Sequence, residues 1–283
     1  MQLSALQRLA ALTLAALAAS CAAGGAWAQE AAAAALRDLC PDRPTKSSGP
    51  CTVDAGHWQV EVDAFDEAWQ RSGPATTDTL IAGAPTIKFG LNDVSDAEIT
   101  LTPFEAVRTH DHATGTTDRV SGFGDLYLRY KLNLTGQRGE QPKLSVALFP
   151  YVKAPTAREG LGNGAWEGGL IVPVSVPLPA GWSLSLDPEV DVPKDGDGSG
   201  RHLNMVQLLS FGHPLNQQVT GYVELWSDVN WDSPRTVTQA SFDLALSWIP
   251  PAWKEVQFDA GVNFGLNRDT PRTQVYAGVS RRF

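Results

Sequence analysis

The chain has 283 residues, with 31 acidic side chains against 22 basic ones and a net charge of −9; no basic stripe exists to neutralise phosphates, so no nucleic-acid partner is expected. Apolar residues make up 43% of the whole chain, yet beyond residue 28 they never gather into about 20 consecutive positions, which excludes a helical membrane protein.

Residues 1–28 carry one positive charge at Arg8, an apolar Leu/Ala stretch from Leu9 to Ala19, and the small-x-small pattern Ala26-Trp27-Ala28. That pattern predicts a secretory signal peptide, whose removal leaves net charge −10, because Arg8 is its only charged side chain. A rival reading takes "AASC" as a lipoprotein site at Cys21, with Ala18 where Leu or Val is usual. Residues 29–55 then form an N-terminal segment on the periplasmic side, either a plug for the domain C-terminal to it or a mere tether. Within it, Cys40 and Cys51 bracket "PDRPTKSSGP", and an exported pair around such a loop predicts a disulfide.

From residue 56 the apolar pattern takes a period of two, which puts apolar and polar residues on opposite faces of a strand. Val60, Val62 and Ala64 alternate with Gln59, Glu61 and Asp63, and Leu126, Leu128, Tyr130, Leu132 and Leu134 with Asp125, Tyr127, Arg129, Lys131 and Asn133. Phe242, Leu244, Leu246 and Trp248, and Val256, Phe258, Ala260, Val262 and Phe264, repeat the pattern. Twelve strands are predicted: 57–69, 79–90, 95–106, 121–134, 143–154, 166–177, 182–191, 201–212, 217–228, 236–249, 254–265 and 272–283. Strands of about 10 to 14 residues exceed the soluble average of about 5 or 6 and match what a bilayer demands. Every second link is short ("LNDV", "TGQRGEQP", "LPAG", "HPLN", "PPAW"), whereas 70–78, 107–120, 155–165, 192–200, 229–235 and 266–271 are mostly longer and more polar. The expected fold is therefore all-β, a transmembrane antiparallel β-barrel over 56–283 with about twelve strands and both termini periplasmic. Trp58, Trp69, Trp166, Trp182, Trp226, Trp231, Trp248 and Trp253 lie near strand ends, as interfacial girdles require.

The stretches "GLNDVSDAEITL" (90–101), "GFGDLYLRYKL" (122–132), "LSVALFPYVKAPT" (144–156) and "YAGVSRRF" resemble the outer-membrane family of phenol meta-pathway transporters. The resemblance covers roughly residues 50–283 and is strongest at Gly122, Gly124, Asp125, Pro150 and the last strand. It implies a bacterial outer-membrane barrel that passes small, often aromatic or hydrophobic, molecules.

If the apolar faces meet lipid, the lumen is lined by Glu61, Asp63, Glu98, Asp125, Tyr127, Arg129, Lys131, Lys153, Asp187, Glu189, Glu224, Asp243 and Asp259, a mixed-charge set rather than a ring of one sign. These groups either brace the barrel by pairing with one another or touch solute; Arg129, Lys131 and Glu224 are the first candidates for a constriction, with Asp125, Glu61 and Asp259 beside them. A channel for a small-molecule solute is the leading expectation, and a non-transporting barrel acting through its surface loops is the alternative. No GxSxG elbow or His/Ser pair marks an enzyme, so no catalytic residue and no cofactor is expected. "HDH" (110–112) is expected to be solvated in a loop, and "DGDGSG" (195–200) begins like a calcium loop but has Val206 where the bidentate Glu belongs, so no dedicated metal site is expected. Val275, Ala277 and Val279 share parity with Phe283, so the last strand presents an apolar, aromatic-ended face of the kind read by the outer-membrane assembly machinery. Outer-membrane lipid and lipopolysaccharide are the remaining expected partners.

Overall fold

The computed structural model describes residues 36–137, 143–233 and 235–283; the predicted signal peptide and Cys21 lie outside them. Residues Asp38–Phe283 form one compact unit. Its strand segments are β1 (Trp58–Ser72), β2 (Ala75–Asn92), β3 (Ser95–Thr100), β4 (Phe104–Asp111), β5 (Thr117–Gly122), β6 (Leu126–Thr135), β7 (Ser145–Ala154), β8 (Glu167–Ile171), β9 (Val174–Pro177), β10 (Ser183–Leu186), β11 (Glu189–Asp191), β12 (Asn204–Pro214), β13 (Val219–Asn230), β14 (Val237–Trp248), β15 (Val256–Gly265) and β16 (Thr273–Arg282).

Four staves of the wall are each made of two segments in line. β2 pairs with both β3 and β4, β7 with both β8 and β9, and β12 with both β10 and β11; β5 and β6 follow β4 and β3 in the same way. Three of the four breaks hold a proline (Pro103, Pro173, Pro188), which has no N–H to give a ladder. Backbone bonds still cross them, from Val172 N to Pro188 O at 3.0 Å and from Ala147 N to Pro173 O at 2.9 Å. Counted as staves the wall has the twelve strands predicted. It closes where β1 pairs antiparallel with β16, from Gln59 opposite Arg282 to Trp69 opposite Thr273. Closure removes the unpaired edges that no membrane-spanning sheet can leave open.

Burial is inverted relative to a water-soluble protein. Large apolar side chains such as Phe65, Leu128, Leu134, Leu225, Leu246 and Phe258 are exposed on the outside, while Gln59, Lys88, Asp96, Glu98, Lys131, Glu224 and Ser280 are each at most 4% exposed inside. An outer surface of this kind is stable against hydrocarbon, and a charge facing lipid there would cost about 2–4 kcal/mol at the midplane.

Two predicted loops are instead strand. Residues 70–78 continue β1 and β2 around the two-residue turn Gly73–Pro74, and most of 107–120 belongs to β4 and β5. Cross-strand pairing from Ser72–Ala75 down to Trp58–Phe89 holds this hairpin together beyond the closed wall, and β4 and β5 extend the same ribbon. Polar, Thr-rich composition hides such strands, because above a membrane neither face has to be apolar. One rim therefore carries the short links and the paired Trp58 and Phe283, and the other carries the ribbon and the longer connections.

Candidate functional site

The lumen side of each stave follows from alternation. In β6, Lys131 and Asn133 are buried and Leu134 is exposed; in β15, Gln257, Asp259 and Asn263 are buried while Phe258 and Phe264 are not. Against β16, β1 accommodates one extra residue, Ala64, between the Asp63–Gly278 and Phe65–Ala277 pairs. A one-residue step exchanges the two faces of a strand. Glu61 and Asp63 therefore face inward below the step, and Asp66, which accepts from Gln274 Nε2 at 2.8 Å, faces inward above it.

Residues 40–54 run across this interior and hydrogen-bond to most of the wall. The Asp42 carboxylate accepts from Lys131 Nζ at 2.7 Å and from Lys88 Nζ, while Asp42 N donates to Glu61 at 3.1 Å. Arg43 donates to Asp259 through Nη2 at 2.7 Å and also pairs with Asp63. Lys46 N donates to Glu224 Oε1 at 3.1 Å, and its Nζ reaches Asp243 at 2.7 Å and Ser241 at 2.8 Å. Ser48 N donates to Asp187 at the β10–β11 break, Pro50 O accepts from Asn133, and Val53 N donates to Asp96 at 2.8 Å. Asp54 meets Arg282 of β16 at 2.7 Å. Cys40 and Cys51 are joined by a disulfide that turns the middle of this stretch into a closed loop.

Two glycines let the segment lie so close. A Cβ on Gly90 would collide with Asp54 O, and one on Gly278 would collide with both Arg43 Nη2 and Val62 O. The electrostatics complement the packing. Burial alone would raise the Asp42 carboxyl, but Lys131 and Lys88 overrule it and hold it well below the usual carboxylate range. Arg43 is likewise buried, and Asp259 and Asp63 raise its guanidinium further above its ordinary value.

Of the expected constriction residues, Lys131, Glu224, Glu61 and Asp259 contact the segment directly. Arg129 does not: it donates to Thr100 Oγ1 and lies over the rings of Tyr127 and Tyr151 at 4.8 and 5.9 Å. Asp125 pairs with Lys153 at 3.1 Å and accepts from Ala157 N, beside the β5–β6 break. Lys88, Asp96, Asn133, Ser241, Gln257 and Arg282 complete the interior and were absent from the expected set; each lies in a strand whose alternation points it inward. Trp226 departs from the girdle expectation. It shares the lumen parity of Glu224, and Lys46 Nζ sits 4.6 Å from its ring centre. Trp58, Trp166, Trp182, Trp231, Trp248 and Trp253 are all exposed.

Val275, Ala277 and Val279 lie on the outward face of β16, and Arg281 stacks over Phe283 at 4.6 Å. At the far rim, His202 Nδ1 is 2.8 Å from Asp195 and 3.6 Å from Asp232. Among the described residues this is the one His/carboxylate trio with ligand atoms within 4.8 Å of one another. The rest of "DGDGSG" is a hydrogen-bonded loop, in which Asp197 accepts from Ser199 and Asp232 from Gly196 N.

The wall has counterparts among solved structures. The COG4313 outer membrane channel from Pseudomonas putida F1 superposes with a TM-score of 0.63 at 15% identity, covering 82% of this chain and 97% of that one. The translocator domain of the autotransporter NalP from Neisseria meningitidis gives 0.50 at 12% identity, over 81% of this chain and 89% of that one. At these identities the likeness is one of fold. No curated protein sequence matches the chain. A family model does match over residues 41–283, which include both the segment and the whole wall, and by that match the chain belongs to the family described as "Putative MetA-pathway of phenol degradation".

Proposed function

We propose that this protein is an outer-membrane channel for small, aromatic or hydrophobic molecules, and that residues 40–54 are the plug that holds it shut. The observation that carries the reading is the ring of charged side chains around the plug: Glu61, Lys88, Lys131, Glu224, Asp243 and Asp259 spend their lumen-facing groups on Asp42, Arg43 and Lys46. Elsewhere the wall braces itself between neighbouring staves, as Lys153 does with Asp125 and Glu167, whereas these charges, from separate staves, converge on one crossing segment. A wall of twelve staves is wider than the eight-stranded kind that side chains fill, so removing the segment leaves room for one small molecule.

In this reading the short-link rim with Trp58 and Phe283 faces the periplasm, and the ribbon and longer connections stand outside among lipopolysaccharide. Val275, Val279 and Phe283 form the outward strip that the assembly machinery engages. The test compares the full chain with a variant lacking residues 38–54, both in planar bilayers and in proteoliposomes supplied with an aromatic solute. The full chain should be nearly silent and the shortened one should conduct and admit the solute. An inserted, heat-modifiable barrel that does neither without the segment would refute the channel.

A further inference from the structure

The strand segments from β10 to β15 contain no lysine or arginine, yet they carry Glu189, Asp191, Glu224, Asp228, Asp243 and Asp259. Asp191, Glu224, Asp243 and Asp259 are each at most 8% exposed. On other staves the wall answers its own acids, Lys88 meeting Glu61, Lys131 meeting Glu98 and Lys153 meeting Asp125. On β14 and β15 the cation comes instead from the plug, as Lys46 reaches Asp243 and Arg43 reaches Asp259.

Lys46 ends in a seat built by the wall. Its Nζ donates to Asp243 Oδ2 at 2.7 Å and to Ser241 Oγ at 2.8 Å, and it lies 4.6 Å from the centre of the Trp226 ring. A carboxylate, a hydroxyl and an indole face together suit a primary ammonium, which has N–H groups for the first two and a positive charge for the third. Asp243 and Ser241 are 3% and 1% exposed, so water competes little for them. The seat holds the terminal group of Lys46 rather than the peptide behind it. The rest of that side chain is 26% exposed and borders a cavity of about 150 Å³, lined also by Trp226, Gln239, Ser241, Thr270 and Pro271. Cavities of about that volume hold a molecule of about six carbon atoms.

We infer that this seat takes the primary ammonium group of a passing solute, and that Lys46 stands in for that group while the barrel is shut. When the plug withdraws, Asp243 is left on a stave with no cation of its own, and a solute ammonium restores the pairing. The inference rests on the reading of residues 40–54 as a plug, and it adds a charge to the solute: a small apolar body that ends in an ammonium. Plug and solute then compete for one point, with the advantage to Lys46 because it is tethered beside the seat.

The test is calorimetric titration in nanodiscs of zwitterionic lipid, corrected against empty nanodiscs, with butylammonium, butanol, butyrate and tetramethylammonium. Lys46→Ala, which vacates the seat within the full chain, should bind butylammonium saturably at one site. That binding should be about tenfold or more tighter than for the other three probes, since butanol lacks the charge, butyrate reverses it and tetramethylammonium has no N–H to donate. The parent chain, with Lys46 in place, should bind butylammonium at least about tenfold more weakly. Adding Asp243→Asn to Lys46→Ala should bring butylammonium and butanol to within about twofold of each other. Heat-modifiable migration checks that each variant is folded, and the variant lacking residues 38–54, which empties the seat by a second route, should show the same preference. Equal binding of butylammonium and butanol by both emptied variants, or a preference that survives Asp243→Asn, overturns the seat. Conductance by the variant lacking residues 38–54 separates the two ideas. If it conducts while butylammonium shows no preference, the seat falls and the channel stands; if it is silent while butylammonium binds through Asp243, the reverse holds.

Discussion

Asp42 is shared by two lysines from different staves, Lys88 of β2 and Lys131 of β6. Removing one member of a buried ion group costs more than the group contributes net, because the others stay desolvated. Asp42→Asn should therefore undock the segment at a cost towards the lower end of about 3–5 kcal/mol, since Glu61 and Glu98 still face the two lysines. Single-channel recording should show open events that the parent chain lacks. The pH dependence has a definite sign. A carboxyl whose value is lowered on folding stabilises the docked state fully above the usual carboxylate range and loses that contribution only as pH falls through its lowered value. The Asp42 contribution to closure should thus persist through mildly acidic solution; opening near neutrality in the parent chain and in Asp42→Asn alike would show that another group controls the segment.

At the scale of elements, the crossing loop is a small closed ring, with Cys40 and Cys51 eleven residues apart and Asp42, Arg43, Lys46 and Ser48 all between them. Tying such a loop removes about 3 kcal/mol of chain freedom from the undocked state, in the loop-entropy account. Cys40→Ser with Cys51→Ser should leave the barrel's heat-modifiable migration unchanged and raise the open probability, and reduction of the parent chain should do the same. The disulfide was legible because ten polar residues between two exported cysteines have few other uses. The twelve staves were legible too, because lipid forces strict alternation on the spanning portions. The ribbon of β1, β2, β4 and β5 was not: Thr76, Thr77, Thr109 and Thr117 alternate with nothing apolar once the strand leaves hydrocarbon. Trp226 was misassigned for a related reason, since composition near a strand end cannot distinguish an interfacial ring from a lumen ring without the parity of Glu224 beside it. Docking of the segment depends on Gly90 and Gly278, whose missing side chains look like any other strand glycine in sequence.

For the whole molecule, the interior is a polar solid wrapped in an apolar sleeve, so stability cannot come from an oily centre. It comes from backbone ladders closed into a ring and from buried charges that pair with the crossing segment or with a neighbouring stave. Arg43 shows how those two sources depend on one another. It touches Asp63 on the first stave, Asp259 on the eleventh at 216 residues' separation, and rests against Gly278 on the twelfth. That pocket is complete only once the last hairpin has met the first, so docking of the segment should come at the end of assembly. A barrel stalled before β16 joins β1 should leave residues 38–54 open to a periplasmic protease, while a finished one hides them. Pulse-labelled cells treated with protease should lose the segment early and protect it late, with Arg43→Ala prolonging the vulnerable interval; protection that begins before the barrel becomes heat-modifiable would contradict this order.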